Sequence, residues 1–532
     1  MMMFSAKNWK HQKSNFQTSL RLALLLIGSL GLLNLSPAAY AQQLQHVAPK
    51  PLPAIDWPAF DGGGSRSGIN THETLIKTNT LANLTRWWQV TIDATDSSPI
   101  LLPSTQTNTG TKSIIFVTTK AGSLLALNAS DGTELWKKTT SGPRYTTSSP
   151  ALDPSHSYVY SYGLDGKVHK YATYDGSEVQ DQHWPETVTL MPDVEKGSAS
   201  LNIGNGYLYA TLGGYPGDAG HYEGHAVAIR LSDGKKTIFN ADCATIHQLL
   251  SDDPSKANYC SHVQSAIWAR AGAVIDPLTH DVFVATGNGD FDANQGGHDY
   301  GDSVLKLTPD LSKLLDSYTP SNYVSLQTHD RDLGSSAPVM LPEQSGSKSP
   351  FMLVQASKDS RVRLINRNNL SNQDGPNHVG GAIDTINLPQ TCDVDSQPVA
   401  WNDTNNVTWV FLTDMCHGLV AYKIITDQNG HSHFQQAYFN ANNGGSSPFI
   451  ANNILYVQGS GNLRAMDPKT GTILWQSTQG SAGGSIGSLH WQSPIIVDGL
   501  ILLPDNSQQF TEYKILPCGT HRRNFSPSSK AC

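Results

Sequence analysis

The chain has 532 residues, of which 38% are hydrophobic and 15% are charged, with 46 glycines and 29 prolines. A charged fraction well below the usual quarter, together with many turn-forming residues, favours numerous short strands and argues against a helical bundle or a coiled coil. The net charge of −8 and the lack of a basic block in the sequence argue against a nucleic-acid partner.

The first 41 residues have the layout of a secretory signal peptide. Four positive charges within residues 7–21 precede the apolar run Leu22–Leu35, and the small-x-small cleavage motif Ala39-Tyr40-Ala41 follows. The apolar run is shorter than the roughly 20 residues that span a bilayer, which favours a cleaved signal over the alternative of a signal anchor. We therefore predict a protein that is periplasmic or secreted after cleavage near Ala41, with no other transmembrane segment.

Two stretches far apart in the mature chain carry the same repeat. Residues 126–136 (ALNASDGTELW) and residues 465–475 (AMDPKTGTILW) both read A-x-[ND]-x-x-x-G-x-x-x-W, and each follows an apolar strand and a small turn. Weaker copies keep the register at intervals near or above the roughly 40–45 residues of a four-stranded propeller blade. The equivalent positions are residues 126, 170, 228, 306, 364, 421, 465 and 512.

A second series marks where the first strand of each repeat begins. It consists of pairs ending in proline, at 98–99, 149–150, 337–338, 397–398, 447–448 and 493–494, and of the small-residue triplets 198–200 and 271–273. Both series count eight, and a closed ring of eight sheets hides the two apolar faces of each sheet. The alternative of two smaller sandwiches would require a dividing linker, and the sequence has none that is rich in proline, glycine or charge.

The predicted fold is therefore all-β, an eight-bladed β-propeller of four-stranded antiparallel blades over residues 57–516. A linker at 42–56 precedes it and a tail at 517–532 follows. Ring closure requires both ends of the chain to share a blade. We predict that Trp57–Val90, with its late strand Arg86–Val90, supplies outer strands to the last blade, whose inner strands run over residues 494–514.

All six cysteines lie in the predicted mature chain, and an even number in an exported protein favours disulfides. Neighbourhood in sequence suggests the pairs Cys243–Cys260, Cys392–Cys416 and Cys518–Cys532, although other connectivities stay open. The sequence has no C-x-x-C motif, which excludes a zinc ribbon and a covalently attached c-type haem. If the protein is an oxidoreductase, its electrons must leave through a separate acceptor.

The eight repeats and their A-x-[ND]-x-x-x-G-x-x-x-W turn resemble the PQQ-type β-propeller family, also called quinoprotein alcohol dehydrogenase-like, where PQQ is pyrroloquinoline quinone. The resemblance covers nearly the whole mature chain. It implies that Trp136 and Trp475 dock one blade on the next. It leaves the function open, because a fold of this kind serves both quinone-dependent dehydrogenases and non-catalytic scaffolds.

Three positions in this chain resemble the cofactor site of those dehydrogenases. Asn288 in Thr-Gly-Asn resembles the asparagine that binds calcium, Asp302 in Gly-Asp resembles the catalytic base beside the metal, and Lys358 resembles the basic residue that bonds the quinone. The resemblance thus implies PQQ and calcium as cofactors. The residue types suit this chemistry, since calcium prefers oxygen ligands and polarises the quinone carbonyl, and a carboxylate can take the proton of an alcohol.

Other positions of the family site are displaced in this chain. The tryptophan that forms the quinone floor should fall near Arg270, and Trp268 lies two residues earlier on the same strand face, so we predict that both contact the cofactor. The position of the calcium-binding glutamate is occupied by Ala219, with Asp218 adjacent as a predicted metal ligand and Glu223 four residues further on. The pair of adjacent cysteines that covers the quinone does not occur in the sequence.

Each of these residues has a purely structural alternative. Asn288 and Asp302 are also common turn residues, Lys358 fits a solvated loop, and Trp268 fits a core. Residues 221 and 225 are histidines four apart, but they lie in a glycine-rich loop rather than on the helix that a zinc motif needs. The nucleophile motif G-x-S-x-G gives no support for acyl transfer, because no copy joins a strand to a helix.

Two functional hypotheses follow. The first is a PQQ- and calcium-dependent dehydrogenase of an alcohol or sugar, with Asp302 as base and with Asn288 and Asp302 at the metal. The second is a non-catalytic propeller that binds a protein or glycan in the cell envelope, which accounts for the missing cysteine pair and the displaced tryptophan.

Overall fold

Regular structure is almost entirely β-strand in the computed structural model, which describes residues 55–479 and 483–515. Runs of β-branched and aromatic residues alternate with turns rich in glycine, asparagine and aspartate, and this pattern produces short strands. The chain begins with β1 (Ile69–Asn70) and β2 (Leu84–Thr91), accompanied by 3-10 turns at Phe60–Gly62 and Leu81–Asn83. Within these described ranges, no helix has the length and hydrophobicity needed to cross a membrane.

Eight antiparallel sheets then follow along the chain, and we call them blades 1 to 8. Blade 1 contains β3 (Ile100–Thr107), β4 (Gly110–Thr118), β5 (Ser123–Asn128) and β6 (Glu134–Thr139). Blade 2 contains β7 (Ala151–Leu152), β8 (Tyr158–Tyr162), β9 (Lys167–Ala172) and β10 (Glu186–Thr187). Blade 3 has a first strand in two pieces, β11 (Glu195–Gly197) and β12 (Asn202–Gly204), then β13 (Tyr207–Gly214), β14 (His225–Arg230) and β15 (Lys236–Asn240).

The second half of the ring continues the pattern. Blade 4 contains β16 (Val274–Ile275), β17 (Val282–Ala285), β18 (Val304–Leu307) and β19 (Leu314–Tyr318), and blade 5 contains β20 (Val339–Met340), β21 (Met352–Ala356), β22 (Arg361–Asn366) and β23 (Asp384–Asn387). Blade 6 contains β24 (Val399–Asn402), β25 (Thr408–Thr413), β26 (Leu419–Thr426) and β27 (Ser432–Asn440). Blade 7 contains β28 (Phe449–Ala451), β29 (Ile454–Gly459), β30 (Asn462–Met466) and β31 (Ile473–Gln476), and blade 8 contains β32 (Ile495–Val497), β33 (Leu500–Pro504), β34 (Gln509–Ile515) and β2.

The loops between these strands carry little helix. The α-helix α1 (Tyr323–Thr328) and a 3-10 turn at Leu333–Ser335 lie between blades 4 and 5, and another 3-10 turn lies at Ala293–Gln295 within blade 4. The first strands of successive blades contact one another, as β3 does with β7 and β24 with β28, so these strands line the centre of the ring. The prediction of an eight-bladed, four-stranded propeller is confirmed.

The repeat register predicted from the sequence corresponds to the third strand of each blade. Ala126 on β5 pairs with Phe116, and Ala465 on β30 pairs with Tyr456 in the same way. The other six repeat positions fall on β9, β14, β18, β22, β26 and β34, one per blade. Alanine occupies this position in four blades, at 126, 228, 421 and 465, where a small residue lets the large side chains of the neighbouring strands fill the space between blades.

The repeat tryptophans dock one blade on the next, as the resemblance implied. Trp136 on β6 donates its indole N–H to the carbonyl oxygen of Thr173 in blade 2, at 3.1 Å. Its ring covers Gly176, where an added Cβ would lie 2.7 Å from the indole. Trp475 on β31 packs edge-on against Tyr513 of blade 8, with ring centroids 5.7 Å apart.

The last blade is closed by the N-terminal part of the chain. Strand β2 pairs antiparallel with β34, so Leu84–Thr91 is the outer strand of blade 8, in agreement with the predicted closure. The earlier residues of the predicted segment do something else. Residues 57–70, which we call the strap, run across the first strands of the blades, and β1 joins β28 in parallel.

The strap is held by bonds to the inner strands and to the connections that lead into them. Backbone bonds connect it to Leu101 of blade 1 and Ile450 of blade 7, both at 2.9 Å. Arg66, 1% exposed, donates to the carbonyl oxygens of Ser200, Leu201 and Ala271 at 2.8 to 3.0 Å.

Two of the three predicted disulfides are present, Cys243–Cys260 and Cys392–Cys416. The predicted pair Cys518–Cys532 lies outside the described residues, as do the predicted signal peptide, most of the linker at 42–56 and the tail at 517–532.

Candidate functional site

The predicted site residues lie on loops at one end of the ring. In an antiparallel blade, the turn between the second and third strands lies at the same end as the connection to the next blade. Asn288 and Asp302 occupy such a turn in blade 4, and Lys358 occupies the equivalent turn in blade 5. Trp268 and Arg270 belong to the connection between blades 3 and 4. We call this end the mouth of the ring.

Lys358 and Trp268 meet at the mouth around a third residue, Asp332. The Lys358 ammonium group forms a close ion pair with Asp332 and lies 3.4 Å from a carboxylate oxygen of Asp330. It also lies 5.2 Å from the centroid of the Trp268 ring, in a cation–π arrangement. Burial alone would lower the pKa of Lys358, but the two carboxylates outweigh it and raise the pKa, so the lysine stays charged.

Asn288 and Asp302 are tied to the same connection. Asp332 accepts the backbone N–H of Asn288 at 2.7 Å, and Asp302 accepts the backbone N–H of Leu333 at 2.8 Å. Asp302 has a left-handed backbone conformation (φ 47°), which aspartate tolerates better than most residues. Asp332 is therefore the residue around which Trp268, Asn288 and Lys358 are gathered. Asp302 is bonded to Leu333, the residue that follows Asp332.

Asp302 is a buried carboxylate with one oxygen unused. Only 1% of the residue is exposed, and its Oδ2 has no hydrogen-bond partner among the described residues. Burial raises the pKa of Asp302 well above its usual value, and the nearby Asp332 raises it further. The protonated form of Asp302 is therefore favoured relative to an exposed aspartate.

Arg270 lies on the other side of the mouth, packed against the strap. Its guanidinium group stacks 5.6 Å from the centroid of Phe60 and donates to the carbonyl oxygen of Asp96 at 2.7 Å. The Nε and Nη2 atoms of Arg270 are buried and have no partner in the described part of the chain. Burial lowers the pKa of Arg270 to about 10, although Asp96 and Asp61 oppose the shift.

Two lysines add positive charge beside Arg270. Lys196 on β11 is 7% exposed and lies 4.8 Å from the ring centroid of Tyr145. Burial lowers the pKa of Lys196 to about 7, and the charges of Arg270 and Lys120 contribute to the shift. Lys120 pairs with Asp96 at 2.8 Å. We call Lys120, Lys196 and Arg270 the cationic cluster; among the described residues, Asp96 is the carboxylate that forms an ion pair with it.

A chain of contacts joins the cationic cluster to Trp268. Asp96 lies 3.0 Å from the Nδ1 atom of His490, which packs edge-on against Trp491 at 5.3 Å. Trp491 in turn packs edge-on against Trp268, with ring centroids 5.9 Å apart. The two sides of the mouth therefore form one continuous surface.

Asp218 is placed apart from the other predicted metal ligands. It lies in the loop between β13 and β14 and accepts the phenol O–H of Tyr222 at 2.6 Å. Its backbone N–H is bonded to the carbonyl oxygen of Tyr215 at 3.2 Å. These bonds go to its own loop rather than to Asn288 or Asp302, and the metal role of Asp218 stays a prediction.

The sequence interpretation missed Asp332, Lys196 and Asp96. Asp332 and Asp96 precede the first strands of blades 5 and 1, within connections that the repeat register places at the mouth. That position was the available signal for both residues. Lys196 offered none, because a lysine on an inner strand is normally solvated and its burial depends on neighbours from other blades.

Solved structures with a similar fold include alcohol and methanol dehydrogenases. The quinohemoprotein alcohol dehydrogenase ADHIIG from Pseudomonas putida HK5 aligns with 13% identity over 90% of this chain and 82% of its own, with a TM-score of 0.59. A europium-containing methanol dehydrogenase aligns with 12% identity over 86% of this chain and 89% of its own, also at 0.59. The quinohemoprotein alcohol dehydrogenase from Comamonas testosteroni aligns with 13% identity over 90% of this chain and 82% of its own, with a TM-score of 0.58. At such identities these likenesses show the fold alone.

No curated protein matches the sequence. A family profile described as "Outer membrane protein assembly factor BamB", which is built on the PQQ-type repeat, matches residues 81–240 and 407–516. These two stretches cover blades 1 to 3, the last three strands of blade 6, and blades 7 and 8, and together they make up just over half of the chain. The protein therefore belongs to this family of PQQ-type β-propellers.

Proposed function

We propose that this protein binds PQQ and a calcium ion at the mouth of the ring and acts as a dehydrogenase of an alcohol or sugar. The observation that carries the proposal is the gathering of Trp268, Asn288 and Lys358 around Asp332, with Asp302 beside them. These four predicted residues come from three loops and two blades. A purely structural role for each would not require them to meet.

The calcium ion fits the free oxygen of Asp302. A fully buried carboxylate oxygen without a hydrogen-bond donor is costly unless a cation or a proton accompanies it. The side-chain carbonyl of Asn288, in the same loop, is a second ligand of the type that calcium prefers. Asp218 would have to give up its bond to Tyr222 to join them.

The quinone fits the cationic cluster. PQQ carries three carboxylates, and Arg270 has two buried N–H groups without an acceptor among the described residues. Burial lowers the pKa of Lys196 to about 7, and a bound anion would raise this pKa again and favour the charged lysine. Trp268 and Trp491 add aromatic surface between this cluster and Lys358.

In this proposal, Asp302 takes the hydroxyl proton of the substrate. PQQ supplies the hydride acceptor when bound. Asp302 can serve as a base only when ionised, and its burial opposes ionisation, so the calcium ion and the base depend on each other. Lys358 is held in place by Asp332 and presents a positive charge beside Trp268.

The test is a titration of the purified chain with PQQ in the presence and absence of calcium, followed by absorbance, with dye reduction measured on added alcohols and sugars. We expect calcium-dependent binding, and Asp302→Asn should abolish turnover. Asp316→Asn is the matched control, because Asp316 is also a buried carboxylate of blade 4 but accepts the backbone N–H of Leu370. No PQQ binding by the wild-type chain would overturn the proposal.

The alternative function is a non-catalytic scaffold that binds an envelope protein or a glycan. One observation favours it: the position near which the resemblance expects the quinone floor is occupied by Arg270, whose ring partner is Phe60 of the strap. A chain that binds no PQQ but is retained by envelope proteins or immobilised glycans would support this alternative.

A further inference from the structure

A second group of buried acids lies at the mouth, in the junction between blades 3 and 4. Strands β14 and β15 pair in the register His225 with Asn240, and the backbone N–H of Ala241 bonds to the carbonyl oxygen of Gly224 at 2.8 Å. The same register continued by one residue places Glu223 directly opposite Asp242. Side chains at directly opposite positions lie close together, and like charges there are destabilising.

Both of these carboxylates are fully buried and lack the donors that would stabilise them. Glu223 and Asp242 are each 0% exposed. Neither oxygen of Glu223 and only one oxygen of Asp242 has a hydrogen-bond donor among the described residues. The Nε2 atom of His221 lies 3.0 Å from Glu223 Oε1, but this nitrogen makes its hydrogen bond to the carbonyl oxygen of Cys260, at 2.8 Å.

The surroundings of the pair are negative. Burial, together with the carboxylates of Glu195, Asp242 and Asp252, raises the pKa of Glu223 to about 9. Burial also raises the pKa of Asp242 well above its usual value, with Asp299 among the acids that add to the shift. Within the described residues, neither Glu223 nor Asp242 forms an ion pair with a lysine or an arginine.

Oxygen atoms of other types complete the surroundings. Ser265 donates its hydroxyl to Asp242 Oδ1 at 2.6 Å, and the main chain of Ser265 packs tightly against Gly224. The Glu195 carboxylate also lies beside Glu223, since it accepts the backbone N–H of Glu223 at 3.4 Å. A hard cation binds carboxylate, hydroxyl and carbonyl oxygens, whereas zinc and copper favour imidazole or thiolate ligands.

We propose that Glu223 and Asp242 hold a divalent cation of the calcium class in the junction between blades 3 and 4. Two opposed carboxylates without cationic partners carry the charge that such an ion balances. The remaining ligands are hydroxyl and main-chain oxygens and water, because no three acidic or histidine side chains here bring ligand atoms within 4.8 Å of one another. In residues 55–479 and 483–515 only Cys392, Asp414 and Cys416 do so, and these cysteines form a disulfide.

This cation site is separate from the one proposed for the quinone. Ser265 stands between them: its hydroxyl bonds to Asp242, and its backbone N–H bonds to the carbonyl oxygen of Asn288 at 2.8 Å. The two sites share no side chain. The ion would hold the connection between blades 3 and 4, which also carries Trp268 and Arg270, so it would stabilise the mouth whether or not PQQ binds.

The test uses terbium as a calcium probe on the full-length mature chain without PQQ, with excitation of tyrosine, since Tyr222 immediately precedes Glu223. We expect terbium emission that calcium displaces. Glu223→Gln and Asp242→Asn should each weaken calcium binding at least about tenfold. Asp302→Asn should keep this emission, so that failure of the quinone proposal and failure of this one remain distinguishable.

Glu512→Gln is the matched control. Glu512 on β34 is 1% exposed and also has an oxygen without a donor among the described residues, but it lies in blade 8 near Lys514. Its variant should bind terbium like the wild type. A second measurement avoids dependence on the variants: calcium should raise the thermal unfolding midpoint of the wild-type chain relative to a chelator. Unchanged emission in both site variants, or no calcium effect on the wild-type chain, would overturn the proposal.

Discussion

The two groups of buried acids at the mouth differ in how their charge is balanced. Between blades 4 and 5, Asp332 is paired with Lys358, and Arg363 contributes a favourable charge to Asp302. Between blades 3 and 4, Glu223 and Asp242 face each other with no lysine or arginine paired to either among the described residues. In the first group the ion pair with Lys358 balances the charge of Asp332, whereas neither carboxylate of the second group has such a partner among the described residues. Burial alone therefore does not distinguish a structural acid from a ligand; the partners do.

The largest effect is expected from removing the positive charge that balances Asp332 in the first group. Lys358→Met should lower the free energy of unfolding by about 3 kcal/mol, because removing one partner of a buried ion pair leaves Asp332 uncompensated. Urea unfolding measures the change. Lys348→Met, at an exposed lysine, should change stability by less than about 0.5 kcal/mol. Equal effects of the two variants would contradict the assigned role of Lys358.

The second group is held in part by the Cys243–Cys260 disulfide, which closes a loop within the connection that carries Asp242. Replacing both cysteines by alanine should lower the free energy of unfolding by about 3 kcal/mol and weaken calcium binding, because the unfolded chain gains freedom and the loop loosens. Removing Cys392 and Cys416 should cost a similar amount of stability but leave calcium binding unchanged. Terbium emission that responds equally to both removals would show that the loop does not support the cation site.

A smaller effect concerns the pH dependence of stability without calcium. Burial and the neighbouring carboxylates raise the pKa of Glu223 from 4.5, the value of an exposed glutamate, to about 9 in the folded chain, so the folded chain binds more protons than the unfolded chain between these values. Stability should therefore fall as pH rises through this window. The fall should be weaker in Glu223→Gln, as measured by denaturant unfolding in a chelator at pH 5.5 and 8.5. Parallel profiles for the two chains would show that Glu223 titrates normally.

The smallest effect is expected for Asp302→Asn. Asparagine keeps an oxygen that can accept the Leu333 N–H, and it tolerates the left-handed backbone at this position. The free energy of unfolding should change by less than about 1 kcal/mol. A large loss of stability would mean that this carboxyl group has a structural role, and loss of turnover in the variant could then not be read as loss of a base.

The sequence interpretation succeeded where the evidence was local. Thr-Gly-Asn288 and Gly-Asp302 are short motifs within one loop, and their approach to Lys358 follows from the blade register. Arg270 was harder to interpret, because its neighbours come from the strap and from the connection into blade 1. In the sequence, Glu223 is only a residue four positions after Ala219, which occupies the position of the family's calcium-binding glutamate. Its partner Asp242 was missed, since neither residue type nor spacing shows which acids end up opposite each other.

By itself the sequence determined the number of blades, their strand order, the third-strand register and the closure by Leu84–Thr91. Each of these depends on a pattern of apolar strands and turns that repeats within a few tens of residues. Only the tertiary structure decided which buried charges act on one another: Lys358 on Asp332, Asp96 on Arg270, and Asp242 on Glu223. These pairings join loops whose course is set by packing between blades. The electrostatic cost of each buried charge depends on every neighbour at once, and a local pattern does not contain that information.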